Sequence, residues 1–326
     1  MVESLTVAAC PGQVLDLGNA SLDMVSPKAL LGLANLRLLS LSQNRLTQLP
    51  ENLLEPVPKL QQLLLGGSLV KHSIMDEVDV KGNLLESFPA DFFAYTTHLT
   101  LLDVSDNNLQ LWPKTVKNLS KLQTLDLRSN TISELPIDAF QGLTALKWLD
   151  LSENKLSQLP AQIFQNLTAL HTLNLRGKQT IWTRDHIGLV HLPVEIFHGL
   201  TGLQRLDLCW NAFAQLPSEI FQGLTALQTL DLHSNLQLAQ LPTDIFHGLT
   251  GLRKLYLHGN TGLAQLPVKI FWGLTALQTL DLSWNWKLKL LPSFQGLTAL
   301  QTLNLQMCFL RELPEICDDG DVRCLS

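Results

Sequence analysis

One frame of apolar residues recurs along almost the whole chain and limits the folds open to it. The pattern L-x-x-L-x-L-x-x-N-x-L-x-x-L-P-x-x-x-F-x-G-L opens at Leu36, Leu60, Leu99, Leu122, Leu146, Leu170, Leu203, Leu227, Leu252, Leu277 and Leu300. Eight of the ten steps between openings fall within one residue of 24, and the others are 39 and 33 residues. A weaker copy precedes them, with Leu15, Leu17 and Leu22 in frame and Ala20 where the asparagine belongs. Leucine fills 76 of 326 positions against 12 Phe and 2 Tyr, so one side-chain shape supplies most of the apolar volume. A globular core interlocks large and small shapes. Such a bias instead marks a unit stacked on itself, with the same slot filled layer after layer.

Each slot has a physical reading. The L-x-L alternation is a short strand with leucines inward and the residue between them on the opposite face. A buried asparagine carries donors and an acceptor for the backbone groups that a turn leaves unpaired. That slot holds Asn44, Asn83, Asn107, Asn130, Asn154, Asn211, Asn235, Asn260 and Asn285, with Cys308 in the last coil. The phenylalanine slot holds Phe93, Phe140, Phe164, Phe197, Phe221, Phe246 and Phe271, which should stack as a spine. The proline before it lacks an N–H and helps end the strand side. For these leucines, asparagines and phenylalanines a structural role outweighs a direct functional one.

The frame resembles the leucine-rich repeat, in the 24-residue form typical of Toll-like receptor and variable lymphocyte receptor ectodomains. The resemblance spans residues 12–314. It implies an α/β fold: a curved, right-handed leucine-rich-repeat solenoid with a concave parallel β-sheet and convex turns or short helical segments. A single solenoid over 1–326 is expected, with an N-terminal cap and weak first repeat in 1–35, eleven to twelve repeats in 36–314 and a C-terminal cap or tail in 315–326. The disulfide-bonded caps of the extracellular relatives are not matched. Cys10 stands alone at the start, while Cys317 and Cys324 flank an acidic turn that a disulfide between them would close. Five cysteines leave at least one thiol free in a monomer.

The two long coils should leave the same edge of the sheet. In the first, Leu63-Leu64-Leu65 and a second strand-like run through Met75, Val78 and Val80 compete for one place in the sheet, and Gly66–Asp76 should bulge. In the second, Gly177–Gly188 adds a segment carrying Trp182. Both read as drifted loops or as loops framing a binding surface.

Net charge is −6 and only 16% of residues are charged, which gives no case for nucleic-acid or polybasic membrane binding. No apolar run is long enough to cross a membrane as a helix. No secretory signal is evident, and the sequons at Asn19, Asn118 and Asn166 are close to what chance supplies. An extracellular or cell-surface address fits a mature chain or fragment, and a cytoplasmic one fits a native start at Met1. No phosphate-loop, dinucleotide, zinc-protease, nucleophile-elbow or C-x-x-C motif occurs, so neither an enzyme nor a cofactor is expected.

Function is therefore sought on the strand face. The column between the strand leucines reads Ser40, Asp103, Asp126, Asp150, Asn174, Asp207, Asp231, Tyr256, Asp281 and Asn304, a solvated acidic stripe or a strip for basic partners. The next column carries Arg128, Arg176, Cys209, His233 and His258, and the one beyond it Trp210 and Trp284. Aromatic residues and arginine dominate interface hot spots. Trp148, Arg205, Trp210, His233, Lys254, Tyr256, His258, Trp284 and Trp182 are thus the candidate contacts for a protein or peptide partner. The C-terminal half, from Leu203 to Leu305, is the preferred face. A weaker alternative gathers Cys209, His233 and His258 around a Zn²⁺ ion. The two imidazoles could instead make binding sensitive to pH near their ordinary pKa.

Overall fold

The computed structural model describes residues 13–66, 82–110, 114–178, 188–310 and 323–325. The chain forms two compact units, Met1–Leu151 and Ser152–Ser326. Trp182, Cys317 and most of the two long-coil insertions lie outside the described residues, and so does any bond between Cys317 and Cys324.

The first unit holds strands β1 (Val14–Asp16), β2 (Leu38–Ser40), β3 (Gln62–Leu64), β4 (Leu101–Asp103), β5 (Thr124–Asp126) and β6 (Trp148–Asp150). They pair in parallel and in chain order, with one central leucine over the next: Leu39 on Leu63, Leu63 on Leu102, Leu102 on Leu125 and Leu125 on Leu149. β3 pairs directly with β4; the run through Met75 and Val80 lies outside the described residues. Asn83 re-enters the frame after the insertion and donates to the carbonyls of Leu41 and Leu65.

The second unit repeats the plan with β7 (Thr172–Asn174), β8 (Arg205–Asp207), β9 (Thr229–Asp231), β10 (Lys254–Tyr256), β11 (Thr279–Asp281), β12 (Thr302–Asn304) and β13 (Arg323–Leu325). The ladder is again parallel and sequential. Each unit is thus a solenoid of three-residue strands. The side opposite the strands is built of tight turns, such as Ile220 N–H to Pro217 O and Gln222 N–H to Glu219 O, and a 3-10 helix at Lys114–Asn118.

The asparagine slot makes a continuous ladder. Asn235 Nδ2 donates to Leu208 O of the preceding coil (3.1 Å) and Leu232 O of its own (2.8 Å). Asn260 Nδ2 does the same with Leu232 O and Leu257 O, and Asn285 with Leu257 O and Leu282 O. Each carbonyl therefore accepts from its own asparagine and from the next one. The Oδ1 atoms of Asn235 and Asn260 take backbone donors one coil back, as Asn235 Oδ1 takes Asn211 N–H at 3.1 Å. Cys308 continues the series with its thiol directed to Leu282 O at 3.0 Å. The spine forms as well: Phe197, Phe221, Phe246, Phe271 and Phe294 stack at 6.1–6.4 Å.

The acidic stripe departs from its solvated reading in the first unit. Asp103, Asp126 and Asp150 are only 1%, 3% and 4% exposed. In both units Oδ1 of the column residue accepts the backbone N–H two residues on, closing an Asx turn that ends the strand, and only in the first unit are the carboxylates also buried. Asp103 does this to Ser105 (2.9 Å) and Asp126 to Arg128 (3.1 Å). Folded inward, the carboxylates lose water and approach one another. Burial pushes the Asp126 pKa up from 3.8 to about 8, with Asp103 and Asp150 adding to the rise and Arg128 opposing it. Because the folded value lies above the unfolded one, this group favours the folded state most below pH ~4 and loses that contribution as pH climbs through about 8. Asp126→Asn keeps the Oδ1 acceptor and removes the titration. Its melting temperature should exceed that of the native chain at pH 9, and the gap should narrow steadily toward pH 4, read by thermal melts across that range.

Candidate functional site

The site is assembled from the turns that follow strands β8 to β11 of the second unit. Asp207 Oδ1 takes the Cys209 N–H at 2.9 Å, Asp231 Oδ1 takes the His233 N–H at 3.0 Å, and Asp281 Oδ1 takes the Ser283 N–H at 2.9 Å. The same Asp231 oxygen lies 2.6 Å from His233 Nδ1, which holds the ring down on its own turn. On β10 the column residue is Tyr256, so His258 has no carboxylate in its own turn. It leans onto its neighbour instead: the His233 and His258 rings stack at 4.3 Å and 8°. Trp210 meets His233 edge-on at 6.1 Å, and Tyr256 meets His258 edge-on at 6.3 Å. Four candidate residues thus form one connected run of rings. Trp284 pairs separately with Trp286 at 6.4 Å.

Charge and burial set the chemistry. His258 Nδ1 is buried without a hydrogen bond, 3.8 Å from Asp281 Oδ2. Burial pushes its pKa below the ordinary histidine value, and His233 adds to the fall against Asp281 and Asp231. His258 is therefore neutral at neutral pH rather than poised at its ordinary value. The Cys209 thiol is pushed far above the usual thiol range by burial, with Asp207 next, so it is protonated. Burial also raises the Tyr256 pKa. Arg205 and Lys254 are exposed and flank Thr229 in the strand register. Trp148 stands on β6 in the first unit, half-buried.

The proposed metal trio is corrected by the stack. Imidazole lone pairs lie in the ring plane, so two rings face to face cannot aim at one ion between them. Asp231, not His258, joins Cys209 and His233: their donor atoms lie within 4.8 Å of one another.

A family model described as leucine rich repeat matches residues 13–70, 75–132, 120–179, 185–236, 201–261 and 250–310. The chain belongs to the leucine-rich-repeat family. Several solved structures share this repeat fold. Toll, from the Drosophila Toll–Spatzle complex, is 23% identical with a TM-score of 0.63, covering 86% of this chain and 37% of Toll. TLR13, in complex with ssRNA13, is 21% identical with a TM-score of 0.59, covering 91% and 50%. The structure of the octameric complex of Latrophilin 3, Unc5D and FLRT2 (its leucine-rich repeat) matches at 24% identity and a TM-score of 0.68, covering 91% and 82%. The chain thus spans half or less of the length of the Toll and TLR13 chains. No curated protein matches the sequence. No helix among the described residues is long and apolar enough to cross a membrane.

Within this leucine-rich-repeat frame, the position before the asparagine carries a backbone demand that the sequence hides. Gln43, Asp106, Ser129, Glu153, Trp210, Ser234, Trp284 and Met307 all have φ between 51° and 58°, and Gly259 has 68°. The column of Trp210 and Trp284 is therefore dictated by the repeat in conformation, though not in residue type. This left-handed region is unfavourable for bulky residues, by roughly 1 kcal/mol. Trp284→Ala and Trp284→Gly both lose the ring, and only glycine relieves the backbone. The glycine variant should be the more stable by about 1 kcal/mol, reversing the usual order, as read from urea unfolding midpoints.

The second insertion ends against the same turn. A Cβ added at Gly177 would run into the Trp210 carbonyl, and one at Gly188 would come within 2.8 Å of Asn211 Oδ1. Sequence reasoning missed Trp272, which is 68% exposed on the turn side with Lys269 Nζ 5.0 Å above its ring. The signal was available: the residue after the spine phenylalanine is polar in Gln141, Gln165, His198, Gln222, His247 and Gln295 and small in Ala94, and Trp272 is the large aromatic among them.

Proposed function

We propose that the chain is a non-catalytic recognition module that binds a protein or peptide through the concave face of its C-terminal half. Trp210, His233, His258 and Tyr256 form its centre, with Trp284 beside them and Arg205 and Lys254 at the rim. The observation that carries this reading is the run of edge-on and stacked rings on a rigid sheet, with Trp210 and Trp284 held where the backbone favours glycine. A surface ordered during folding loses little further entropy on binding, and aromatic anchors supply most of an interface's energy. Support for the class of partner comes from relatives: Toll is seen in complex with Spatzle, and FLRT2 in a complex with Unc5D and Latrophilin 3. TLR13 is seen with RNA. A net charge of −6 and carboxylates along the strand ends argue against a phosphate backbone here. Lack of a catalytic motif and a protonated Cys209 thiol support the non-catalytic part of the reading.

Trp272 favours a second reading, a scaffold or assembly domain of a larger intracellular signalling protein that binds through its turn side. Hydrogen exchange on the chain with a partner purified from its native source separates the two. Protection should fall on β8 to β12 and the turns after them; protection confined to the turns around Trp272 would give preference to the scaffold.

A further inference from the structure

We propose that Cys209, Asp231 and His233 form a binding site for a divalent transition ion of the zinc type. Their sulfur, oxygen and nitrogen donors lie within 4.8 Å of one another. Around a tetrahedral zinc ion, with bonds of ~2.0–2.3 Å, donor pairs sit ~3.3–3.7 Å apart, so closing on an ion takes about an ångström of movement. Side-chain rotation provides it, because the backbone on both sides is fixed. Leu208 N–H and Trp210 N–H bond Asp231 O and His233 O at 2.8 and 3.1 Å, so the two turns are zipped together.

The donor set also selects the ion. A thiolate with an imidazole suits zinc or cobalt and disfavours magnesium and calcium, which take oxygen ligands. Binding replaces the Cys209 S–H bond by a metal–sulfur bond and releases that proton to solvent. Asp231 exchanges its hydrogen bond with His233 Nδ1 for the ion, or shares it. Asp231 and His233 side chains are 21% and 18% exposed, so the remaining coordination positions open toward solvent on the sheet face. His258 stacks on His233 and supplies no donor to the ion. Cysteine is not what the repeat asks for here: the equivalent positions hold Ser105, Arg128, Ser152, Arg176, His233, His258, Ser283 and Gln306. The site stands whether or not this face binds a partner.

The test is titration of the full reduced chain with cobalt(II) at neutral pH, followed by absorption and by competition with zinc(II). A near-ultraviolet sulfur-to-cobalt charge-transfer band is expected, saturating at one ion per chain and abolished by zinc. Cys209→Ser should remove that band. His233→Ala and Asp231→Asn should weaken binding at least about tenfold, with circular dichroism showing all three variants folded. His258→Ala should keep the band. Absence of the band in the native chain overturns the proposal, as does a band that survives Cys209→Ser, which would report another thiol. Loss of the band in His258→Ala with Cys209→Ser unaffected would overturn the donor set.

Discussion

Asn235→Ala should destabilise the second unit by about 3 kcal/mol, among the larger effects available to a single charge-neutral substitution in this chain. The amide sits fully buried between coils. Its removal leaves Asn211 N–H without the Oδ1 acceptor at 3.1 Å, and leaves the carbonyls of Leu208 and Leu232 with one amide donor each instead of two. An orphaned buried N–H alone costs about 1–3 kcal/mol, and the two weakened carbonyls and the small void add to it. Asn166→Ala on the exposed turn side is the control and should change stability by less than about 0.5 kcal/mol. Urea unfolding followed by circular dichroism reads both. A cost at Asn235 no larger than at Asn166 would mean that water replaces the amide and that the ladder is not what joins the coils.

Alanine at Trp210, Tyr256 and Trp284 together should weaken partner binding by at least about 100-fold while leaving the fold intact. Each ring is half-buried or exposed, so its truncation costs little packing. Anchors of this type are worth about 2 kcal/mol or more apiece at an interface, and the three are not strictly additive. Alanine keeps the Cβ, so the backbone conformations at φ 57° and 58° are retained and the comparison isolates the rings. Calorimetric titration with the purified partner, beside a thermal melt, measures the two quantities separately. Unchanged affinity rejects the proposed face; lost affinity with a collapsed melting curve would place these rings in the fold instead.

The repeat was legible because it is written in side chains that occur ten times over. Leu39 on Leu63, the ladder through Asn235 and the stack from Phe197 to Phe271 follow from period and residue type alone, and Cys308 keeps the contact to the preceding coil's carbonyl that the asparagine would make. What stayed hidden depends on backbone direction. Where the residue before the asparagine or Cys308 is left-handed, it is Gln, Asp, Ser, Glu, Trp, Met or Gly, and among these positions only Gly259 is of the type that announces such a conformation. The buried aspartates were concealed for a similar reason. A column facing away from the leucines reads as solvated, yet Asp103, Asp126 and Asp150 are buried. The choice between His258 and Asp231 beside Cys209 rests on a single exchange, Tyr256 for aspartate, whose effect on the next ring no periodicity expresses.

The asparagine ladder also has a mechanical meaning. Each amide reaches its own coil and the one before it, and no further. Tension applied to the end of the second unit therefore falls on one layer of hydrogen bonds at a time, as in a zip drawn from its end. Each coil so released, 25 residues between Leu230 and Leu255 for example, would lengthen the chain by roughly 8 nm before the next began to yield.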